Sequence, residues 1–368
     1  MPPPTPPPVS PTTTVADLVD AVDAVTGGRL VRDLSERNRW TISKSSGIPG
    51  KDVLELPGLL VGDPAAPVRH VALAMTLTEH DIELAGALGI DALVVHHTIA
   101  DAASSGGVPL ATYLGLYGLA VIECHEALHG LHVGIPYLHG HEAHHVDDAY
   151  AGNPGMVVMV GRPIEGVTTL GDVLDRLERM MGRAHDAAVL DAERSVRGVA
   201  GMPDSVTAPA PRILVGAPDA ALGEQVLHAF PHTGFRRSHL EQVVREHPGI
   251  GTVVLSISRI LPDDDLVAAA EELGLNLLVG NPHPYEILEN GLPLGHALRE
   301  LLPDVELTVF RERVVALPLD AAGHGELGDY GRAMARDHLL PRARAHRAAA
   351  SETAHDLTTT TACWEDPR

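Results

Sequence analysis

Short apolar runs alternate with helix-period segments along most of this chain, and that alternation leaves room for few folds besides a layered α/β one. Val68–Thr76, Asp91–Val95, Gly118–Glu123 and Met156–Gly161 read as strands, with Glu79–Leu88, Val108–Leu116 and Leu170–Met181 as helices between or after them. A second series comes next: strands at Arg212–Val215, Thr252–Ile257, Asn276–Val279 and Val305–Phe310, and helices at Ala220–Phe230, Leu240–His247, Asp263–Leu273 and Leu292–Leu302. Parallel strands joined by helical crossovers are the economical way to arrange such a series.

The Pro/Ala stretch Thr207-Ala208-Pro209-Ala210-Pro211 separates the two series and places a boundary near residue 200. The expected organisation is a disordered Pro/Thr-rich tail over 1–14, a first α/β lobe over 15–200, a second over 201–320, and a helical then disordered tail over 321–368. With 45% hydrophobic residues the chain can bury a large core. A formal net charge of -22 and only 3% aromatic residues argue against a nucleic-acid partner, since both the electrostatic grip and the stacking surfaces are missing. Cys124 and Cys363 lie far apart and imply no disulfide framework, which suits a reducing compartment. No apolar run reaches the roughly 18 residues of a membrane span, and the Pro-rich start lacks the regions of a signal peptide. A cytoplasmic protein with no membrane partner is expected.

Histidine is concentrated where strands end. His96 and His97 close the run Ala92–Val95, and the Ser104-Ser105-Gly106-Gly107 cluster beyond them supplies a loop. Consecutive strand side chains point to opposite faces, so both imidazoles serve one site only if the backbone is already turning there. His125-Glu126-Ala127-Leu128-His129 matches the H-E-x-x-H pattern of zinc proteases, in which a long helix puts both histidines on one face. Here a strand feeds directly into His125 and Gly130 comes immediately after His129, so at most one or two helical turns are available and the protease reading is disfavoured. His139-Gly140-His141-Glu142-Ala143-His144-His145 lacks periodicity and reads as a solvated loop, with a lid or an accessory metal site as the functional alternative. In the second series, Leu277-Leu278-Val279-Gly280-Asn281-Pro282-His283-Pro284-Tyr285-Glu286 again ends a strand in a histidine, with a carboxylate three residues on. Glu286 and Glu289 read equally well as favourable charges in a first helical turn.

Taken in order, Leu59-Leu60-Val61-Gly62-Asp63-Pro64, the strand Val71–Thr76, the strand ending in His96-His97, His125 with His129, the Gly161-Arg162 turn, and His283 with Glu286 and Glu289 resemble the Nif-three-like dinuclear metal centre family over roughly residues 15–315. Its members often carry the label GTP cyclohydrolase 1 type 2. The chain departs from the family pattern in three places. His129 stands where a carboxylate is usual, the T-G-D/E segment before His283 is not recognisable, and the interval from His283 to Glu286 is one residue short.

The resemblance implies two related α/β lobes with mixed sheets, a two-metal site in the cleft between them, and a homo-oligomer, often a toroidal hexamer. The ligand set it implies is His96, His97, His129, His283 and Glu286, with His125 as a further ligand or an orienting partner and Glu289 as the other candidate carboxylate. The resemblance implies two divalent transition-metal ions, Zn2+, Fe2+, Co2+, Ni2+ or Mn2+, and imidazole-rich ligation shifts the preference from Mg2+ or Mn2+ towards the other four. Glu126 and Glu289 are both candidate general acid/base groups, and the sequence leaves the choice open. The expected activity is metal-dependent hydrolysis of a C–N or related bond in a small polar or anionic substrate. The alternative is a non-catalytic metal-binding assembly or interaction protein.

Overall fold

The computed structural model describes residues 13–44, 53–97, 110–182, 184, 188, 211–231, 234–256, 260–281, 285–311, 315–322 and 325–360. His283, the loop after His97, most of the Pro/Ala stretch before residue 211 and the outermost residues of both tails lie outside these.

Local code sets several helix starts. Thr14, Thr78 and Thr169 each accept a bond from the backbone N–H three residues on, and Asp17, Asp81 and Asp172 reach back to the threonine backbone. These reciprocal boxes start helices α1 (Val15–Thr26), α2 (Glu79–Leu88) and, further on, the helix Leu170–Met181.

In chain order the strands are β1 (Ile42–Lys44), β2 (Val53–Glu55), β3 (Gly58–Val61), β4 (His70–Ala74), β5 (Ala92–Val95) and β6 (Ala120–Glu123), with helix α3 (Leu110–Tyr117) before β6. Helix α4 (Gly134–Leu138), strands β7 (His141–Asp147) and β8 (Val158–Pro163) and helix α5 (Leu170–Met181) come after it. The second series comprises β9 (Arg212–Val215), β10 (Gln225–Ala229), α6 (Arg237–Glu246), β11 (Ile250–Leu255), α7 (Asp265–Glu272), β12 (Asn276–Val279), α8 (Leu292–Leu301), β13 (Glu306–Arg311) and β14 (Val315–Pro318). Helices over Gly325–Met334 and Leu340–Thr360 close the described chain.

Two six-stranded mixed sheets result, in the orders β14-β13-β4-β5-β6-β3 and β7-β8-β10-β11-β12-β9. The block β3–β6 is laid out as β4-β5-β6-β3, with β4, β5 and β6 parallel and β3 antiparallel at the edge. The block β9–β12 repeats this layout as β10-β11-β12-β9, again with three parallel strands and an antiparallel edge. The two lobes are therefore related in topology. Each block sends its next pair of strands to the other sheet: β7 and β8 come after the first block yet extend the sheet of the second, while β13 and β14 come after the second block and extend the sheet of the first. The division expected near residue 200 thus falls within the sequence span of the second sheet.

Both sheets are covered on both faces. Leu73 and Val94 point to one face of the first sheet, towards Leu18 and Val22 of α1 and Leu298 of α8, whereas Leu93 and Val121 point to the other, towards Ile82 of α2 and Leu114 of α3. In the second sheet Val253 and Leu277 face Leu240 of α6 and Leu266 of α7, and Val254 and Leu278 face Val173 and Leu177 of α5.

Two sequence expectations are corrected. Ala220–Phe230, expected as a helix, contains β10, because pairing with β8 and β11 on its two sides overrides the helix propensity of its Ala, Leu, Glu and Gln residues. The segment expected as a loop around His139–His145 contains β7, with His139 and His141 buried and His144 and His145 exposed.

Burial leaves a pH signature. It pushes His139 down to about 4 and His141 to about 3, and holds His228 well below the usual histidine range. Unfolded, the same imidazoles titrate near 6.5, so between pH 6.5 and about 4 the unfolded chain binds protons that the folded chain refuses. Stability is full above that window and falls as the pH drops through it, by on the order of 3 kcal/mol from His139 alone. Urea midpoints of the metal-free protein between pH 7.5 and 4.5 check this, and His141→Leu should flatten the slope.

Candidate metal centre

The parallel strands deliver the histidines to one place. The ladder runs past the end of β5, since the backbone N–H groups of His96 and His97 donate to the carbonyls of Ala74 and Met75, and Cys124 donates to Val95 beyond β6. His125 is the next residue, and a three-residue 3-10 turn, Glu126–Leu128, carries the chain to His129. From the second sheet, β12 leads through Gly280 and Asn281 to a single π-helical turn, Ile287–Gly291, which opens α8 and has Glu286 at its start. All of this lies at the carboxyl ends of parallel strands, the usual place for a site in open α/β sheets.

Glu286 is the meeting point. Its Oε1 lies 3.0 Å from His96 Nε2 and 3.7 Å from His129 Nε2, and its Oε2 lies 3.5 Å from His97 Nε2. His125 packs among them, with ring centroids 4.1 Å from His97 and 4.8 Å from both His96 and His129. On its other side His125 Nδ1 is 3.0 Å from Glu55 Oε2. Two groups of buried donors emerge, His96, His125, His129 and Glu286 in one and Glu55, His97 and His125 in the other, with the donor atoms of each within 4.8 Å of one another. Imidazole and carboxylate donors this close, buried and drawn from both sheets, fit metal ions.

The charges are consistent with that role. Burial opposes ionisation of Glu286, but His96, His129 and His97 outweigh it and hold the carboxylate well below its ordinary range. Burial, reinforced by the neighbouring imidazoles, keeps His125 well below the usual histidine range and so neutral, as a ligand must be. Cys124 stays a thiol because its burial pushes the thiol pKa far up, which removes it as a donor at neutral pH.

Outer contacts fix these side chains. Gly134 N–H donates to His132 Nδ1 at 3.1 Å, leaving Nε2–H to donate to Asn290 Oδ1 at 3.0 Å, while Asn290 Nδ2 donates to Glu286 Oε1 at 3.1 Å. Tyr330 donates its hydroxyl to the Glu289 carbonyl at 2.6 Å, and Asn281 Nδ2 donates to Glu289 Oε1 at 2.8 Å. Arg29 lies 3.9 Å over the Trp40 ring and donates to the carbonyls of His129 at 3.0 Å and Ala127 at 3.4 Å and to Asp148 at 3.3 Å. Burial lowers its guanidinium only to about 10, so it remains charged. Arg29→Met is expected to loosen the His125–His129 turn and weaken metal affinity by about 10–100-fold, as losses of outer partners do; competition titration with a chromophoric chelator measures it.

Of the residues singled out from sequence, His96, His97, His125, His129 and Glu286 converge here. Glu289 lies beside them, bonded to Asn281 rather than to the histidines, and Glu126 opens the 3-10 turn with its side chain outside the described residues, as is His283. The H-E-x-x-H coincidence has none of the helix a zinc protease needs, because His125 and His129 are linked by that short turn. Sequence reasoning missed Glu55, Asn281, Asn290, His132, Tyr330 and Arg29. Only Glu55 left a local signal, a carboxylate between Leu54 and Leu56 just ahead of an apolar strand.

The sequence model of the family described as Duf34/NIF3 (NGG1p interacting factor 3) matches residues 50–103, a segment that holds Glu55, β4, β5 and the His96-His97 pair. Over that segment the chain is similar to the NIF3 family. None of the curated proteins matches it. Among solved structures, a Bacillus cereus protein related to NIF3 is similar with a TM-score of 0.52 at 12% identity, over 82% of this chain and 97% of that one. Reduced HcgD from Methanocaldococcus jannaschii is similar with a TM-score of 0.51 at 14% identity, over 82% of this chain and 98% of that one. A hypothetical protein of Staphylococcus aureus gives 0.50 at 15% identity, over 81% and 95%. At such identities these likenesses show the fold.

Proposed function

We propose that this protein is an enzyme dependent on two divalent transition-metal ions that hydrolyses a C–N or related bond in a small polar or anionic molecule. The observation that carries the reading is the pair of buried donor groups sharing His125. His96, His129 and Glu286 would hold one ion, His97 and Glu55 the other, and His125 lies between, with His283 assigned to the same site by family resemblance. Two such ions supply Lewis acidity and an acidified water. The donor set is richer in nitrogen than in oxygen, which favours Zn2+, Fe2+, Co2+ or Ni2+ over Mn2+.

The protein's own part is to position and to move a proton. Asn281 fixes Glu289 Oε1, and burial, opposed by that bond and aided by the Glu286 charge, pushes Glu289 up to about 8. A carboxyl that holds its proton near neutral pH suits a general acid/base, which favours Glu289 over Glu126 for that role. The reading includes a cytoplasmic location and a homo-oligomer, a hexamer by family resemblance. Among the described residues no helix is long and apolar enough to cross a membrane.

Metal analysis of protein reconstituted with Zn2+, Fe2+, Co2+, Ni2+ or Mn2+ should give about two ions per chain. Retention of none would falsify the reading. Two ions without hydrolysis across a panel of cyclic amides, amidines and nucleotide bases would favour the non-catalytic alternative.

A further inference from the structure

We propose that His141, His228 and Met159 form a second metal site, within the second sheet and apart from the centre above, that takes one Cu+ ion. The three residues stand on the adjacent strands β7, β8 and β10. His228 and Met159 are directly opposite in the antiparallel register, so their side chains leave the same face with Cβ atoms about 5 Å apart. Gly161, two residues beyond Met159 and therefore on that face, makes room for the third: a Cβ there would lie 2.9 Å from His141 Cδ2, so the His141 ring lies over β8. The His141 and His228 ring centroids are 5.5 Å apart. Two imidazoles sharing an ion at a metal–nitrogen distance of about 2 Å place their centroids roughly 5–6 Å apart.

The rings ask for a ligand. Both residues are fully buried, and among the described residues no ring nitrogen of either has a hydrogen-bond partner. A buried polar atom left unpaired costs about 1–3 kcal/mol. The neighbouring His139, equally buried, shows the contrast, since its Nδ1 donates to the Ile135 carbonyl at 2.8 Å and its Nε2 accepts from Asn281 N–H at 3.1 Å.

The chemistry of the donors selects the ion. Two neutral imidazoles and a thioether carry no charge, and the groups acting on the two rings include no carboxylate. A divalent ion would enter this dry pocket uncompensated, at a desolvation cost that a monovalent ion largely escapes, and the thioether is a soft ligand that favours Cu+. The Phe230 ring, 5.3 Å from His228 and 6.0 Å from His129, separates this site from the first.

The test uses the full chain with the first centre filled with Zn2+, titrated anaerobically with Cu+ against bicinchoninate while zinc release is monitored. One Cu+ per chain bound without zinc release is expected, His228→Leu should lose it, and Met159→Leu, close in shape to the native residue, should weaken it by about tenfold or more. No retained Cu+, Cu+ matched by released zinc, or unaltered binding in folded His228→Leu overturns the site. If His228→Leu does not fold, unaltered affinity in Met159→Leu overturns it instead. The zinc readout keeps this outcome separate from that of the first centre.

Discussion

Glu286→Gln is expected to weaken metal binding by about 10²–10³-fold while the metal-free protein stays folded. The carboxylate touches three imidazoles and is drawn into the interior as an anion only because they surround it. Removing one member of a buried charge constellation costs about 3–5 kcal/mol when a charged partner remains, and here the remaining partner is a bound cation. Without metal, glutamine keeps the shape and can still bond to Asn290. Calorimetric titration with Zn2+ and thermal unfolding without metal separate the two effects. An unchanged affinity would remove Glu286 from the centre.

The division between what the sequence shows and what it hides tracks the range of the forces involved. Helices opened by Thr-x-x-Asp boxes and strands built from uninterrupted apolar runs are written locally, so Leu170–Met181 and Asn276–Val279 emerge at the expected residues. Strand β10 was hidden because Gln225–Ala229 has no strand signature of its own and becomes a strand through neighbours far away in sequence. β7 was hidden for a related reason: Glu142 and His144 to Val146 are exposed, and His141 alone among its residues is buried. The same logic divides the metal centre. Paired histidines after apolar runs are conspicuous, whereas Asn290 and His132 act on Glu286 through bonds that depend on a π-helical turn and a tautomer.

The exchanged strand pairs explain how donors from two sheets stay in register. Because β7 and β8 leave the first block and β13 and β14 leave the second, each sheet includes chain from both halves, and separating the lobes would break ladders as well as side-chain contacts. Arg29 adds a finer link, since one guanidinium holds both the His129 carbonyl and Asp148, just past the end of β7. The site is thereby tied to the relative position of the two sheets.

His129 stands where the family that this chain resembles usually has a carboxylate, and substituting it should change metal preference rather than only strength. Its Nε2 lies 3.7 Å from Glu286 Oε1 within the four-donor group, while its ring stacks on Phe230 at 6.0 Å. His129→Ala removes a donor and is expected to weaken Zn2+ binding by about 10²-fold or more, beyond the 10–100-fold typical of outer partners. His129→Asp restores an oxygen donor and adds a negative charge beside the ion, so it should retain two ions per chain and shift the Zn2+-to-Mn2+ affinity ratio towards Mn2+ by about tenfold. His145→Ala, on an exposed part of β7, supplies the control and should leave both affinities as they are. Parallel titrations of the three variants with Zn2+ and Mn2+ decide the matter: an unaltered Zn2+ affinity in His129→Ala would take the residue out of the centre, and an unaltered ratio in His129→Asp would mean that the imidazole does not set its metal preference.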